Sequence, residues 1–592
     1  MYTIPPNEML VENRTCKQCA GSFPITDKDM EFYAKMSPTF DGKQYVIPAP
    51  TLCPDCRQQR RLSFRNERTL YKRKCDATGR DMVSMYSPDT SYTVYHQDYW
   101  WSDAWDPMSY GREVDLGRSM MTQMEDLMRE IPKMHLSVFD MENSDYANQS
   151  GSLKNCYLVT NSSDSNHCYY WAWIYHSSNC VDFLRVWKSE NCYQCIDCKN
   201  CYNLFYSQNC LDCRDSQYLE DCINCSNCFG CSSIHGKQYW IYNNPYDKVA
   251  YFTEIEKMQK AQLKNSKKLT SIKKNLIQIN AENSIGNYIY DSKDTLFSFD
   301  IFESEQVKYS SDMTYAKDIM DVDFFGVHLQ NTLDSAIIGI NASRIRFCIE
   351  CWSDVENIFY CFGCVNATKD CFACVGLRNK QYCILNKQYT KEEYESLVPR
   401  IIEHMQKTWE WGEFFPATMS HFGYNETVAN EYYPLNEEVV KQGGTFNWSD
   451  YVAPFPKVEK IIPASRLPDS IESIPDDVLN WAIECEVTGK PFRIIKQELE
   501  FYRKHNLPIP RRHPDQRHLD RMALRNPRKL YERVCDCIHC EQNWKRKRVI
   551  LDDSNSEGSM DWKRRKKMIT TYTPERPERV YCEVCYDREV MG

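Results

Sequence analysis

The sequence predicts a mainly β protein in which two tandem short-coil β-solenoids lie between two related end modules, with α-helical caps and Arg-rich helices. Three observations support this prediction. Cysteines near the middle of the chain share one phase of a three-residue period, the middle of the chain is duplicated, and its two ends are copies of each other. A chain of 592 residues is also long enough to bury several hydrophobic cores.

The two ends of the chain match each other in the same order. The N-terminal end contains DMEFYAK, CPDCRQQRRL and RNERTLYKRKC, and the C-terminal end contains ELEFYRK, HPDQRHLDRM and RNPRKLYERVC. Each end has the outline of two successive zinc ribbons, in which a Cys-x2-Cys turn and a distant second pair hold one metal ion. We therefore predict end modules at residues 1–135 and 479–592.

Each end module keeps one complete set of four cysteines. The predicted ligands are Cys16, Cys19, Cys53 and Cys56 in the first module and Cys537, Cys540, Cys582 and Cys585 in the second, with Cys535 as a spare thiol. In each module the other ribbon has lost two of its four ligands. This ribbon keeps Cys75 and His96 in the N-terminal module and Cys485 and His513 in the C-terminal module. Because four thiolates leave no open coordination position, we expect about two structural Zn²⁺ ions and no catalytic metal.

A basic stretch connects the two ribbons of each module. Spacings near three and four would place much of this charge along one side of a helix, which suits contact with RNA or DNA phosphates. An ordinary solvated helix face is the alternative interpretation. The residues predicted to contact nucleic acid are Arg57, Arg60, Arg61, Arg65, Arg68, Arg512, Arg517, Arg521, Arg525 and Arg528.

Thirteen cysteines between residues 156 and 231 are separated by gaps of three, nine or twelve residues. An α-helix would scatter these positions around its axis, and a flat strand would need even spacings. Stacked coils of twelve residues fit this period, with thiols filling a narrow interior. Asparagine often precedes these cysteines and suits tight turns, because it tolerates a left-handed backbone. The residues concerned are Asn155, Asn179, Asn191, Asn200, Asn209, Asn224 and Asn227.

The cysteine-rich segment is followed by a weaker copy of itself in which many thiols are replaced. We predict a first solenoid at 142–245, a helical cap or linker at 246–280, a second solenoid at 282–389 with the same twelve-residue rhythm, a helical cap at 390–410 and an extended connector at 411–478. The run Cys192-x2-Cys195-x2-Cys198 also resembles the cluster-binding run of bacterial ferredoxins, although no proline follows it. An iron–sulfur or zinc site among the central thiols therefore stays an alternative.

With these motifs in view, the chain resembles an uncharacterised family of cysteine-rich, zinc-ribbon-bearing proteins of bacteria with very small genomes. The resemblance covers nearly the whole length and depends on CDATGRDMVSMYSPD, ENCYQCIDCKNCYNLFYSQNC, FGYNETVANEYYP and the CEVCY ending. It implies metal-binding ribbons and gives no activity. Members of this family usually have a Cys-x2-Cys pair where this chain has His96 and Tyr99, so metal binding there is in doubt.

Composition and charge narrow the function classes. The net charge of −9 is unevenly spread, with arginine and lysine dense near the C-terminal end, so it does not exclude a local nucleic-acid surface. The sequence opens without a secretory signal and has no apolar run of membrane-spanning length, so we expect a cytoplasmic protein whose thiols stay reduced.

The function that the sequence favours is a zinc-stabilised binding scaffold that contacts nucleic acid. No nucleophile elbow, phosphate loop or paired catalytic carboxylates are found, so no catalytic residue is predicted. The alternatives are an enzyme or redox protein that uses the central cysteines, and recognition of a protein or glycan along the aromatic solenoid face. The sequence does not predict an oligomeric state.

Overall fold

A computed structural model describes residues 2–260, 272–455, 457–537, 540 and 566–591. The fold is mainly β, as predicted, with two parallel β-solenoids in the middle and a module of short hairpins and helices at each end. Residues 261–271 of the predicted cap or linker at 246–280 lie outside the described residues.

The N-terminal module consists of two-stranded sheets and short helices. Its helices are α1 (Asp27–Met36), α2 (Pro54–Leu62), α3 (Gln97–Trp100) and α4 (Met120–Glu130), with a 3-10 turn at Pro107–Tyr110. Its strands are Leu10–Thr15 with Ser22–Thr26, Thr39–Phe40 with Lys43–Gln44, Tyr71–Lys74 with Asp81–Ser84, and Val94–Tyr95 with Lys133–Met134. The helix α1 begins in a capping box formed by Thr26 and Asp29, which satisfies free backbone donors.

The first solenoid is a stack of parallel strands in which residue i pairs with residue i+12, as in Tyr169↔Val181 and Val181↔Tyr193. Its strands are Val138–Glu142, Ala147–Asn148, Ser150–Lys154, Tyr157–Thr160, Ser163–Asn166, Tyr169–Tyr175, Val181–Trp187, Ile196–Lys199, Tyr202–Phe205, Arg214–Gln217, Ser226–Phe229, Gln238–Ile241 and Asn244–Pro245. The predicted coil length of twelve residues is confirmed here.

A left-handed residue at nearly every third position produces the short sides of this coil. The φ angles of Asn155, Asn179 and Asn191 are +54°, +52° and +53°, and the other asparagines predicted to make turns also have positive φ. Asparagine and aspartate tolerate this conformation better than most side chains. Their side chains continue the stack outside, as where Asn203 Nδ2 donates to Asp215 Oδ1 of the next coil at 2.9 Å. The residue after each turn points inward, which gives four interior positions per coil.

The second solenoid has the same architecture but a different coil length. Its strands are Gln278–Glu282, Ile285–Phe302, Glu305–Lys308, Ser311–Thr314, Lys317–Val327, Gln330–Ala336, Ser343–Arg346, Glu356–Phe359, Lys369–Phe372, Cys383–Ile384 and Lys387–Gln388. The first coil pairs at eleven residues (Gln278↔Ile289), and the coils from Lys317↔Gln330 to Glu356↔Lys369 pair at thirteen. The predicted twelve-residue rhythm is confirmed between these coils, where Lys293 pairs with Glu305 and Glu305 with Lys317, and it is wrong for the first coil and for the longer ones.

The extra residue of the longer coils lies at one corner. Ser353 and Asp354 are consecutive residues with positive φ, and so are Asn366 and Ala367 thirteen residues later. A corner with two left-handed residues adds one residue to the coil without changing the number of inward positions. The interior therefore stays closed, with Cys348, Cys361 and Cys374 stacked at thirteen-residue intervals.

Helices follow both solenoids. The helix α5 (Lys248–Lys260) packs Tyr251 against Phe229 and Ile241 of the last coils, and α6 (Lys391–Lys407) buries Tyr394, Val398 and Ile402. The predicted connector contains α7 (Val428–Tyr432), α8 (Glu437–Gly443) and the 3-10 turns Ala417–Met419, Tyr424–Glu426, Ala464–Arg466, Ile471–Ser473 and Asp476–Asn480.

The C-terminal module repeats the plan of the N-terminal module. Its helices are α9 (Lys496–Lys504), α10 (Pro514–Leu524) and α11 (Glu583–Met591). Its strands are Lys460–Pro463 with Trp481–Glu484 and Pro491–Phe492, Tyr531–Val534 with Lys567–Thr570, and Val580–Tyr581 with Lys273–Lys274. Because Lys460–Pro463 belongs to this sheet, the last part of the predicted connector is a component of the module.

The two modules pack crosswise on the two solenoids. One hydrophobic cluster joins Phe23 and Tyr33 of the N-terminal module to Tyr309 and Phe359 of the second solenoid. Another joins Tyr170 and Phe205 of the first solenoid to residues of the C-terminal module, including Tyr502. The solenoids lie side by side and meet through ring pairs such as Trp187 with Phe302, whose centroids are 5.6 Å apart.

Candidate metal centres

Four thiols of the N-terminal module converge on one point. The ligand atoms of Cys16, Cys19, Cys53 and Cys56 all lie within 4.8 Å of one another. The first pair comes from the turn of the Leu10–Thr15 hairpin, where the Cys16 N–H donates to the Gly21 carbonyl and the Ala20 N–H donates to the Cys16 carbonyl. This turn aims both thiols to the same side, as a zinc knuckle does.

The second pair comes from the first turn of α2. Cys53 is the N-cap residue and Cys56 lies one turn later, so free backbone N–H groups face the thiols. Hydrogen bonds from the thiol and the backbone N–H of Cys56 outweigh the effect of burial and lower the pKa of Cys53 to about 5. A thiolate, the form that binds metal, is therefore favoured at the helix N-terminus.

The C-terminal module contains the second group, with one ligand different from the prediction. The atoms that lie within 4.8 Å of one another belong to Cys535, Cys540, Cys582 and Cys585, and Cys582 and Cys585 open α11 as Cys53 and Cys56 open α2. Cys537 is buried beside this group, whereas Cys535 completes it. The prediction that Cys537 is a ligand and Cys535 a spare is corrected accordingly.

The internal repeat contains the signal that identifies Cys535. When RNERTLYKRKC is aligned with RNPRKLYERVC, Cys535 falls opposite Cys75, the first residue of a knuckle. Both residues lie at the end of a hairpin strand, after Tyr71–Lys74 and Tyr531–Val534, respectively. The more familiar Cys-x2-Cys spacing of Cys537 and Cys540 obscured this correspondence.

The two ribbons that have lost ligands keep the knuckle geometry. The Gly79 N–H donates to the Cys75 carbonyl at 2.8 Å, and the Gly489 N–H donates to the Cys485 carbonyl at 3.0 Å. His96 and His513 occupy the N-caps of α3 and α10, where Nδ1 accepts a hydrogen bond from a backbone N–H two residues later. A histidine cap thus replaces the metal at the start of each helix.

The intact groups have the donor set and spacing of a tetrahedral metal site. A metal–sulfur bond of ~2.3 Å implies a sulfur–sulfur edge of ~3.8 Å. The Sγ atoms of Cys19 and Cys53 are 3.7 Å apart, and those of Cys540 and Cys585 are 3.1 Å apart. A small contraction or expansion of either group would admit an ion bound by four sulfurs.

The central cysteines are arranged differently. All thirteen thiols from Cys156 to Cys231 lie in one hydrophobic cluster, and burial raises the pKa of Cys168 and Cys180 well above the usual range. Their sulfur atoms face backbone carbonyls, as where the Cys195 thiol lies 3.2 Å from the Leu204 carbonyl. Among the described residues, only the two end groups bring three or more potential metal ligands this close together.

Most of the arginines predicted to contact nucleic acid are instead buried in ion pairs. Arg57 pairs with Asp321 at 2.9 Å, and Arg61 pairs with Asp323 at 2.7 Å and with Asp334 at 2.8 Å. Arg60 reaches Asp334, Arg65 reaches Glu67, and Arg68 pairs with Glu431. The side chains of Arg57 and Arg61 are 1% and 0% exposed.

The arginines of the C-terminal module pair with aspartates of both solenoids. Arg517 and Arg521 both pair with Asp182, at 2.6 and 3.0 Å. Arg525 and Arg528 then reach Asp300, at 2.8 and 2.9 Å. Asp182 and Asp321 are equivalent positions in the two solenoids, as are Tyr170 and Tyr309, whose rings lie under Arg517 and Arg57, respectively.

The expectation of an arginine stripe open to phosphates is therefore wrong for eight of the ten residues, which are buried, seven of them against aspartates of the solenoids and Arg65 against Glu67 and Asn161. The eight buried arginines are Arg57, Arg60, Arg61, Arg65, Arg517, Arg521, Arg525 and Arg528. Arg68 is partly buried, and Arg512 stays 43% exposed while pairing with Glu486 and Asp520. Whether the protein binds nucleic acid through other groups stays a prediction.

Comparison with known proteins adds little to this description. No family model matches the sequence, and no curated protein matches it. Among solved structures, a "putative acetyltransferase" from Desulfovibrio desulfuricans is 8% identical over 45% of this chain and 77% of that chain, with a TM-score of 0.10. A similarity this low carries no argument about the fold or the function.

No described helix combines the length and the apolar character needed to cross a lipid bilayer.

Proposed function

We propose that the protein is a zinc-stabilised binding scaffold that works in a reducing compartment such as the cytoplasm. Two structural zinc ions would fix the end modules in the shape that clamps the paired solenoids side by side. Four thiolates in a closed set favour Zn²⁺ over harder cations and leave no position for a substrate. Thiols of the kind found here persist in compartments that keep cysteine reduced.

The observation that carries this proposal is the position of each cysteine group at the start of a docking helix. Cys56 is followed directly by Arg57, whose guanidinium reaches Asp321 of the second solenoid. In the other module, α11 begins between Cys582 and Cys585, where Lys274 pairs with Glu583 at 2.8 Å. Tyr586 of this helix meets Ser233 of the first solenoid at 3.3 Å. A bound metal would thus order the contacts that join modules and solenoids.

Metal content and chelation test this proposal. Elemental analysis of the purified protein is expected to give about two zinc ions per chain and no visible absorption band. Chelation is expected to open the end modules to protease while the solenoids stay protected, because only the modules depend on metal for their shape. Bound iron with a visible band, or modules that stay protected after complete metal removal, would contradict it.

Nucleic-acid binding would have to use side chains other than the eight buried arginines. Substituting Arg517 or Arg521 by glutamate would place a second carboxylate beside buried Asp182, so such variants report on folding before they report on binding. Arg512→Glu is a usable surface variant. Binding of mixed RNA and DNA at low and high salt decides the question, since phosphate contacts weaken steeply with salt.

A further inference from the structure

A cavity of about 490 Å³ lies where the C-terminal module meets the first solenoid and the beginning of the second. The first solenoid contributes Asn209, Glu220 and Asp221, and the module contributes Asn526, Tyr572 and Arg576. This volume is within the range of small-molecule sites, which is roughly 300–1,000 Å³.

The same place in the other half of the molecule is nearly filled by side chains. There the cavity is about 40 Å³, and it is lined by Tyr86 and Lys133, which occupy the positions of Tyr572 and Lys273, together with Phe362 and Trp352. Because the two halves share one architecture, the larger cavity does not follow from the fold alone. The larger cavity therefore depends on the side chains that line it, and its surface is more polar than that of the smaller cavity.

The charges around the larger cavity compensate each other. Lys273 Nζ donates to Glu220 at 2.6 Å and to Asp221 at 3.1 Å, and Arg576 pairs with Glu578. Burial alone would lower the pKa of Lys273, but these two carboxylates raise it, so the lysine stays charged and paired. A phosphate or carboxylate ligand would have to compete with these acidic partners for Lys273 and Arg576, whereas Arg579, which also lines the cavity, contacts the Tyr581 hydroxyl.

Two asparagine side chains that line the cavity keep hydrogen-bonding groups that a ligand could use. Asn209 donates one N–H to Asp221 at 2.8 Å and accepts one hydrogen bond from Tyr288 at 3.1 Å. Asn526 donates one N–H to Thr571 and accepts one hydrogen bond from Arg576. An asparagine amide has two N–H donors and two acceptor lone pairs. Among the described residues, Asn209 therefore keeps one donor and one acceptor, whereas the second N–H of Asn526 contacts the Tyr572 hydroxyl and leaves only an acceptor lone pair. Hydroxyl groups, which donate and accept at once, match the pair that Asn209 keeps.

We propose that this cavity binds a neutral, polyhydroxylated ring, either a free saccharide or the sugar of a nucleoside. This inference deepens the proposed binding function by naming its ligand class. Zinc content and ligand binding are measured separately, so either proposal can fail without the other.

The test uses the zinc-loaded full-length protein and four probes, namely D-glucose, D-ribose, adenosine and inorganic phosphate. Titration calorimetry or ligand-observed NMR is expected to detect binding of at least one neutral probe and weaker binding of phosphate. Binding of a free sugar identifies a saccharide site, and binding of adenosine alone identifies a nucleoside site. If no neutral probe binds, or phosphate binds most tightly, the proposal is overturned.

Ala523→Trp locates the binding. Ala523 lines the cavity and is exposed, so the indole fills the space without removing an internal contact. Binding is expected to weaken at least ~tenfold, a loss of ~1.4 kcal/mol. Ala104→Trp adds the same side chain at an exposed position of the other module and is expected to leave binding unchanged. Unchanged binding in Ala523→Trp, with the fold intact by circular dichroism, would overturn the assignment.

Discussion

The cysteines at the ends and in the middle of this protein share a spacing but not a geometry. Two residues separate Cys16 from Cys19 in the chain, and two separate Cys192 from Cys195. In the end module the chain reverses between two strands, and both thiols meet a second pair from α2. In the solenoid, left-handed residues such as Gln194 turn a corner at each step, so successive thiols enter the interior from different sides.

This difference shows that a Cys-x2-Cys spacing specifies a local turn and no more. A metal site also needs a second pair that returns to the same point from a distant part of the chain. In the solenoid the chain returns every twelve or thirteen residues, but it returns one strand spacing further along the stack. The thiols there serve as small apolar side chains that fill a narrow core.

The largest effect is expected from removing a ligand of an end group. Cys535→Ser should lower zinc from about two ions to one and destabilise the C-terminal module by ~5 kcal/mol or more, since structural zinc binding contributes on the order of 10–16 kcal/mol. Cys537→Ser is the matched control and should keep both ions. Elemental analysis and urea unfolding measure both variants, and zinc loss from Cys537→Ser alone would restore the ligand set predicted from the sequence.

The second-largest effect on stability is expected from the ion pairs that join the end modules to the solenoids. Arg61→Leu would leave Asp323 and Asp334 buried with fewer cationic partners, which should cost ~3–5 kcal/mol. Arg512→Leu removes a partly exposed pair and should cost less than ~1 kcal/mol. Urea unfolding of both variants checks this order. Equal losses would mean that the buried pairs do not hold the N-terminal module in place.

Mild acid should weaken the end modules more than the solenoid interior. Burial lowers the pKa of His518 to about 4, against ~6.5 in an unfolded chain. The folded state therefore excludes a proton that the unfolded state binds, and stability is lost as pH falls from ~6.5 toward 4, by up to ~3 kcal/mol. Urea midpoints between pH 7 and 4.5 measure this loss.

His518→Gln should remove part of this pH dependence. The exposed His176 provides the control, since His176→Gln should leave the slope unchanged. Release of metal by acid should affect both variants equally. The difference between their pH slopes therefore measures the contribution of His518 protonation. An unchanged slope in His518→Gln would show that this histidine does not set acid stability.

The smallest effect is expected inside the solenoid. Cys201→Ser should cost less than ~1.5 kcal/mol, because serine already occupies the same position one coil earlier. There Ser189 Oγ donates to the Trp187 carbonyl at 2.8 Å and accepts the Cys201 N–H at 3.0 Å. The same substitution at Cys56 should cost several times more. A large loss at Cys201, measured by urea unfolding, would indicate that the central thiols do more than pack.

The repeating parts of the fold could be predicted because their rules are local. A left-handed asparagine followed by a small inward residue determines one corner of a coil, and this pattern is visible within three residues of sequence. The four ligands Cys16, Cys19, Cys53 and Cys56 were predicted correctly as a group that can hold metal, since two close pairs in one module leave few other partners. The spacing of Cys537 and Cys540 predicts the wrong ligand in place of Cys535, because it matches the common Cys-x2-Cys pattern. Only the alignment of the two end modules indicates Cys535.

The sequence by itself thus determined the solenoid interior, the duplication and the thiol-rich ends. Only the tertiary structure decided that some coils lengthen to thirteen residues, that each module joins its hydrophobic core to the solenoid farther from it in sequence, and that most of the arginines face inward. The physical reason is that an arginine-rich helix has the same local pattern whether phosphate or aspartate neutralises it. Arg57 and Asp321 are more than 260 positions apart in the sequence but form an ion pair at 2.9 Å. No local sequence pattern specifies this contact.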